Sequence, residues 1–556
     1  MLVIEPTNGR ELTHWSQTNW TAVEANVRRL QGRIYRAAAH SEQAKVQNLQ
    51  KLMVRSLSAK LKAIRQVTQE NSGKHTPGID GVVCDTPEKR LALLQDGLRL
   101  KGYCPPPVKR HYIPKSSGGQ RPLGIPTQKD RVMQALVKLA LEPEWESRFE
   151  ANSYGFRPGR CPMDAITAIH TAMSGKNHSQ WVLDADIKSC FDKIDHSALL
   201  KRLPVFTTTI RRWLKAGVVE LGHYTTTEAG TPQGGVASPL LANIALDGME
   251  RLFDGEDTKG NPHRPSWKTG HNKGVSLIRY ADDVVALAPS REVLEQHVLP
   301  TLDAFLASRG LQLSEAKTRL VHSTEGFHFL GFEIKRFKRA LLTQPQKDKM
   351  IGHYRELKTY LDQHKQSPAR LVIRDLNPKI RGWANYYRHC AAKRAFRKMD
   401  YLVWYRLWRW AKRRHPNKSA QWIYRRYHRT MGNRHGVFAE GKAQILWYQD
   451  TPITRFPKVK GKSSPMNPDL KEYWKQREPW RLKTLTIKQQ RKRILQAQDF
   501  RCGFCKGPFY DGDPLDEHHI LPKHEGGDDR QENRMLVHRW CHHAHHQRHG
   551  EKTVGA

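Results

Sequence analysis

Between about residues 12 and 70, apolar side chains recur at intervals of three and four with basic residues between them. Val27, Leu30, Ile34 and Tyr35, then Leu52, Val54, Leu57, Leu61 and Ile64, predict two N-terminal helices. Turn chemistry follows at Lys74 to Gly81 and at Gly102 to Pro107. The strands Val108 to Pro114 and Arg121 to Pro126 then flank the glycine-bearing loop Lys115 to Gln120, a hairpin pattern. Apolar spacing at Val132, Ala135, Leu136, Leu139 and Leu141 predicts a long helix over 127–150. From 181 to 335, short apolar strands (181–187, 275–280, 284–288 and 327–334) alternate with helical stretches, an α+β arrangement. Beyond about 345 the pattern turns helical and strongly basic, and Lys458 to Pro468 has the composition of a linker.

Acidic residues break this pattern at the tip of two apolar runs. Tyr280-Ala281-Asp282-Asp283 joins Ser276-Leu277-Ile278 to Val284-Val285-Ala286-Leu287. Two adjacent carboxylates between buried strands ask for a cation, because burying unpaired charge costs several kcal/mol or more. A further apolar strand, Trp181-Val182-Leu183-Asp184-Ala185-Asp186-Ile187, can bring a third carboxylate to the same point. Three converging carboxylates suit two Mg²⁺ ions and phosphoryl or nucleotidyl transfer. In a metal-dependent polymerase, an aromatic ring five residues beyond the first Asp, here Phe191, can lie against the sugar and exclude a 2′-hydroxyl.

Length and charge narrow the picture. The 556 residues suggest three to five domains. Lys plus Arg number 94 against 54 Asp plus Glu, a formal charge of +40, which points to a nucleic-acid partner rather than a membrane. Residues 401–430 hold nine Lys or Arg, no acid and eight Trp or Tyr, so rings that stack on bases lie among charges that hold phosphate. Trp404, Trp408 and Trp410 are equally suited to a helical core, and both uses are expected. No apolar run approaches bilayer length and the N-terminus lacks a signal-peptide pattern, so a soluble, cytoplasmic protein is expected. Five scattered cysteines read as small buried residues, and the other three lie near the C-terminus.

Several ordered motifs carry a family resemblance. Asp186-Ile187-Lys188-Ser189-Cys190-Phe191, Thr231-Pro232-Gln233-Gly234-Gly235-Val236-Ala237-Ser238-Pro239-Leu240 and Tyr280-Ala281-Asp282-Asp283 resemble the reverse transcriptases encoded by bacterial group II introns. Arg121 to Pro126, Ser153 to Arg160, Gly310 to Thr318, Phe329 to Phe332 and Ile373 to Tyr387 agree with that family in order. The resemblance implies a right-hand polymerase of fingers, palm and helical thumb. Asp186 and Asp282 would bridge two Mg²⁺ ions, with Asp283 peripheral. One ion would activate the primer hydroxyl and the other would neutralise the triphosphate. Lys115, Arg121 and Lys317 would meet substrate phosphates, Phe191 the sugar, and Gln233 with Gly234 the template and nucleotide. Asp184 is a competing acid on the same strand face; Asp186 is preferred because the Ile-Lys-x-x-Phe run follows it.

At the C-terminus, Cys502 with Cys505 and His538 with Cys541 form two pairs of x₂ spacing, a structural Zn²⁺ pattern. His518, His519, Asn533 and the His-rich run from His542 to His546 resemble the ββα-metal HNH endonuclease module. The departure is His538, where a cysteine is common. By that resemblance His519 is the general base, His518, His542 and His546 hold a Mg²⁺ or Mn²⁺ ion, and Asn533 fixes the loop bearing His519.

The implied layout is an N-terminal helical extension (1–75), fingers (76–180), palm (181–340), helical thumb or maturase domain (341–440), a basic DNA-binding region and linker (441–490) and the HNH domain (491–556). The implied function is intron mobility: a nicked target DNA supplies a 3′-hydroxyl that the palm extends on intron RNA with deoxynucleoside triphosphates, while the thumb assists splicing as part of a ribonucleoprotein. A splicing-only RNA-binding protein and a reverse transcriptase serving defence or diversity generation are the rivals; intact Asp186, Asp282 and His519 argue against the first, and the HNH and thumb motifs against the second.

Overall fold

A computed structural model describes residues 14–15, 18–114, 118–174, 179–253, 274–338, 340–431, 434–484, 489–504, 509, 515–538, 541–542 and 545–546. At its centre is a four-stranded antiparallel sheet in the order Ser276–Tyr280, Asp283–Ala288, Trp181–Asp186, Arg319–His322. Its strands carry apolar residues on both faces because both faces are covered. Leu183, Val284 and Ala286 join one core with helices Gln128–Arg148 and Ser238–Leu246, while Val182, Val285 and Leu287 join a second core with Ile166 and Ile169 of the helix Pro162–Ser174. With both layers filled, the polar ends of the strands become the place where charge gathers.

The long helix Gln128–Arg148 starts on Thr127, whose side chain accepts from Asp130 N, and is buried along most of its length by the N-terminal helices. Three such helices are present, Trp20–Ala39, Gln43–Arg55 and Leu57–Arg65, rather than two; the chain breaks at Ser56, which caps one helix and opens the next. The predicted hairpin is found as Val108–Pro114 against Gln120–Ile125, with Ile113 opposite Arg121. It is extended into a second four-stranded sheet by the short strands Val218–Glu220 and His223–Thr225.

Further sequence expectations need correction. The apolar run over 327–334 is two strands, Phe327–Phe329 and Phe332–Phe337, folded back where Leu330 and Gly331 take φ of +48° and +82°. The region beyond 345 is α-helical as far as Tyr427 and again at Lys471–Thr484 and Gln489–Ala497, but, among the described residues, not between Tyr427 and Lys471. His428–Met431, Arg434–Glu440 and Ala443–Gln444 then form a sheet, because Val437 and Phe438 are buried against the helices. The stretch 458–468 is packed rather than free: Val459 and Ser464 are buried, and the carboxylate of Asp164 accepts from Val459 N at 2.8 Å and from Arg477 at 3.3 Å. A buried acid far upstream thus finds its partners in chain whose composition alone reads as linker. Of the scattered cysteines, Cys84, Cys190 and Cys390 are buried, whereas Cys104 is exposed.

The last unit has its own small core of Ile494, Leu495, Cys502, Phe509, Leu536 and Val537 beneath the hairpin Leu515–His519 and Arg534–His538. No helix among the described residues is long and apolar enough to cross a membrane.

Candidate functional site

Asp186, the last residue of its strand, lies directly opposite Asp283, the first of the neighbouring strand, and Asp282 sits on the turn between Tyr280 and Asp283. Burial, followed by the charges of Asp282, Asp186 and Asp184, pushes the Asp283 carboxyl up to about 7. Burial and Asp186 also raise Asp282. Asp184 is two positions from this convergence, paired across the sheet with Arg319, and burial lifts it to about 6. Negative charge therefore exceeds its local compensation at this strand edge, and carboxylate oxygen is the donor that hard divalent cations take.

Lys317, a candidate for substrate phosphate, lies with its Nζ 2.7 Å from Asp186 Oδ2. Arg121 is exposed on the adjacent hairpin, close enough for its charge to oppose in part the rise at Asp282. Lys115 lies outside the described residues. Gln233 donates from Nε2 to both carboxylate oxygens of Asp192 at 3.0 Å, and its carbonyl accepts from Gly124 N at 2.7 Å. Gly234, at φ +126°, is needed for packing against the chain itself: a Cβ there would stand 2.7 Å from the Gly124 carbonyl oxygen. Phe191 meets the half-exposed Phe156 edge-on, ring centroids 6.1 Å apart.

The turn is held from beneath, chiefly by Arg279, which no sequence motif marks. Arg279 is wholly buried; its guanidinium donates to Asn243 Oδ1 (3.0 Å), the Ala281 carbonyl (3.1 Å) and Ser153 Oγ (2.8 Å), and the charges of Glu150 and Asp247 stabilise it. Ala281 takes a φ of +59°, a left-handed conformation costly for an L side chain, and the Arg279 bond secures it. Asn152 to Gly155 runs alongside, with Arg279 N bonded to Asn152 O and Tyr154 N to Arg279 O, both at 2.9 Å. A Cβ on Gly155 would lie 2.3 Å from Ala281 N. Gly155→Ala is therefore expected to push the Asp282 turn outward and reduce templated DNA synthesis by about 10²-fold, the scale of an ångström misplacement. Primer extension beside a thermal melt checks this; unchanged synthesis would remove the turn's geometry as a determinant.

In the C-terminal unit, ligand atoms of Cys502, His538 and Cys541 lie within 4.8 Å of one another, and so do those of His518, His542 and His546. Cys505 lies outside the described residues. The first donor set, sulfur with imidazole, fits zinc; the second, one imidazole from the hairpin and two from the segment after it, fits a borderline divalent ion. His519 is adjacent to the second cluster, its Nε2 2.8 Å from Asp529 Oδ1, and Lys523 holds the other Asp529 oxygen at 2.7 Å. Bonds from Lys523 and His519 draw the Asp529 carboxyl down to about 2. Asn533 clasps the loop: its Oδ1 accepts from Leu521 N at 2.7 Å, and its Nδ2 donates to the carbonyls of Leu521 (3.0 Å) and Asp528 (2.8 Å). Asp529 is a partner the sequence did not reveal, lying ten positions beyond His519 in a polar loop.

Family models match this chain in four segments: an N-terminal domain of reverse transcriptase over 15–96, reverse transcriptase (RNA-dependent DNA polymerase) over 113–334, the group II intron maturase-specific domain over 352–428, and HNH endonuclease over 502–548. Protein YkfC of Escherichia coli is 34% identical over 300 residues, covering 49% of this chain and 79% of that protein. The chain belongs to the group II intron-encoded reverse transcriptases. It carries the reverse-transcriptase and maturase segments in that order, with an HNH endonuclease segment after them. The group II intron-encoded protein LtrA of Lactococcus lactis is 32% identical over 321 residues, 48% of this chain and 53% of LtrA. An uncharacterized 91 kDa protein in the cob intron of Schizosaccharomyces pombe is 28% identical over 411 residues, 60% of this chain and 50% of that one. The chain thus spans about half the length of these last two relatives.

Proposed function

We infer that this protein copies intron RNA into DNA at a target site that it nicks itself, and that it also binds the intron RNA during splicing. The observation that carries the reading is the opposition of Asp186 and Asp283 across neighbouring strands with Asp282 on the turn between. In this reading residues 76–180 form fingers, 181–340 a palm and 341–440 a thumb, and 441–490 meets target DNA. Divalent cations, Mg²⁺ by the hardness of the donors, would be held by Asp186, Asp282 and Asp283 and would supply Lewis acidity to the primer hydroxyl and charge neutralisation to the triphosphate. Lys317 holds the Asp186 carboxylate in place, and Arg121 adds positive charge where the phosphates enter.

Phe191, with Phe156 packed on its edge, closes the pocket on the sugar side. Phe191→Ala is expected to keep RNA-templated synthesis but weaken rejection of ribonucleotides by roughly 10- to 200-fold, the range for loss of steric selection in a pocket. Competition between a deoxynucleotide and its ribonucleotide reads this directly, and an unaltered preference would remove Phe191 from the sugar site.

In the nuclease unit, zinc held by Cys502, His538, Cys541 and Cys505 would fix the fold, and a divalent ion at His518, His542 and His546 would polarise the scissile phosphate. With Nε2 engaged by Asp529, His519 has Nδ1 to accept the proton of the attacking water, and Asn533 keeps the loop in register. His519→Ala is expected to abolish nicking of duplex DNA, by about 10²-fold or more, while extension of a supplied primer continues. Equal loss of both activities in a folded variant would contradict two separate centres, and undiminished nicking would remove His519 as the base.

A further inference from the structure

The helix Lys393–Arg414 presents two unlike faces. Phe396, Met399, Val403, Leu407 and Trp410 are buried at intervals of three and four. Opposite them, at the same intervals, stand Arg394, Lys398, Tyr401, Tyr405, Arg409 and Lys412, all exposed. The helix's one acid, Asp400, is turned inward, accepting from Tyr448 N at 2.7 Å and Gln449 N at 3.1 Å, so the outer stripe carries cations alone.

The aromatic residues of this helix divide in the same way. Trp404 and Trp408 stack on each other, ring centroids 6.0 Å apart, and lean on His428; Trp404 Nε1 donates to the Gly436 carbonyl at 2.9 Å. They buttress the sheet that follows. Tyr401 and Tyr405 are 65% and 45% exposed, one helical turn apart and nearly parallel at 13°, with centroids 6.4 Å apart. Two adjacent large rings are thus held in water with cations one turn before and one turn after them. Lys398 and Arg409, which bracket the pair, are about 16 Å apart along the axis.

We propose that this stripe is a binding platform for unpaired RNA nucleotides, in which Tyr401 and Tyr405 stack on bases and Arg394, Lys398, Arg409 and Lys412 hold the flanking phosphates. The proposal rests on reading the maturase segment as an RNA-binding surface and adds which state of RNA that surface takes. Charge alone would serve a duplex equally well. The rings would not: an A-form duplex keeps its base faces stacked within and shows a side chain phosphates, 2′-hydroxyls and base edges, whereas loops and bulges offer a base face. No acid on the outer stripe opposes the phosphate backbone, and the tyrosine faces are already ordered by the helix, which lowers the entropy lost on stacking.

The test uses the full-length protein and a labelled RNA of about 20 nucleotides, presented once as a single strand and once annealed into a blunt duplex, over a series of salt concentrations. The double substitution Tyr401→Ala with Tyr405→Ala is expected to weaken single-strand binding by roughly 10- to 100-fold with an unchanged salt slope, and to leave duplex binding within about twofold. Tyr401→Phe with Tyr405→Phe should restore single-strand binding, because the ring and not the hydroxyl is used. Arg394→Gln with Lys398→Gln should reduce the salt slope for the single strand by about 0.7 per cation removed. Equal losses on both RNAs, or none on either, in variants that melt like the wild type would overturn the stacking platform. Failure of the wild-type protein to retain either RNA would instead overturn the RNA-binding reading beneath it.

Discussion

Asp282→Ala is expected to lower RNA-templated deoxynucleotide incorporation by about 10³-fold or more, since a cation held by this cluster stabilises the transition state by several kcal/mol. The loss should be chemical and not structural. Asp282 is one of the charges that push Asp283 up to about 7, and Asp282 itself is raised by burial. An acid whose folded pKa lies above its unfolded value of about 4 destabilises the fold increasingly as pH rises between the two, and fully above the higher one. At pH 8 without divalent ions, removing Asp282 should therefore leave the melting temperature unchanged or raised. Added Mg²⁺ should stabilise the wild type more than the variant, because only binding to the folded state contributes. Primer extension and thermal melts, each with and without Mg²⁺, check both halves; activity within tenfold of wild type would remove Asp282 from the reaction.

The second large effect concerns metal removal at the other end of the chain. The unit from 489 to 546 has a described core of six buried residues, Ile494, Leu495, Cys502, Phe509, Leu536 and Val537, one of them a candidate ligand. A core of that size does not sustain a fold unaided, so metal binding and folding are one equilibrium. Cys502→Ser, or a strong zinc chelator followed by restored Mg²⁺, is expected to abolish nicking and open the unit to protease while primer extension survives. Persistent protease resistance of the unit after zinc is shown to be gone would contradict a structural zinc.

The two centres differ in how much of them could be read from the sequence. Asp186, Asp282 and Asp283 stood out because a short apolar run and a tight turn are local signals, and charge at the tip of apolar strands is conspicuous against them. Arg279 did not. Within Leu277-Ile278-Arg279-Tyr280 it occupies a slot that a half-exposed strand would give to solvent, and only the arrival of Ser153 and Asn243 from distant segments buries it. Gly155 falls within the Ser153 to Arg160 motif, yet the motif does not disclose its role, which is a contact with Ala281 126 residues away. The same limit applies to 458–468, whose Gly, Ser and Pro content reads as linker while a buried carboxylate at Asp164 determines where it lies. Spacing also brought the ligand candidates of the C-terminal unit to notice, because x₂ and i, i+4 intervals place side chains together whatever the tertiary context. Asp529 carries no such interval; its meeting with His519 depends on how the loop closes, which Asn533 and the close approach of Gly527 to the Leu521 carbonyl bring about.

The decisive measurement is to purify the protein from its own host, sequence the RNA that it retains and supply deoxynucleotides to the same preparation. One folded intron RNA, enriched far above ribosomal and transfer RNA and copied into DNA in a reaction lost with Asp282→Ala, is the expected result. A retained RNA population no different from that of the lysate, or DNA synthesis indifferent to Asp282, would contradict an intron-encoded reverse transcriptase acting through this cluster.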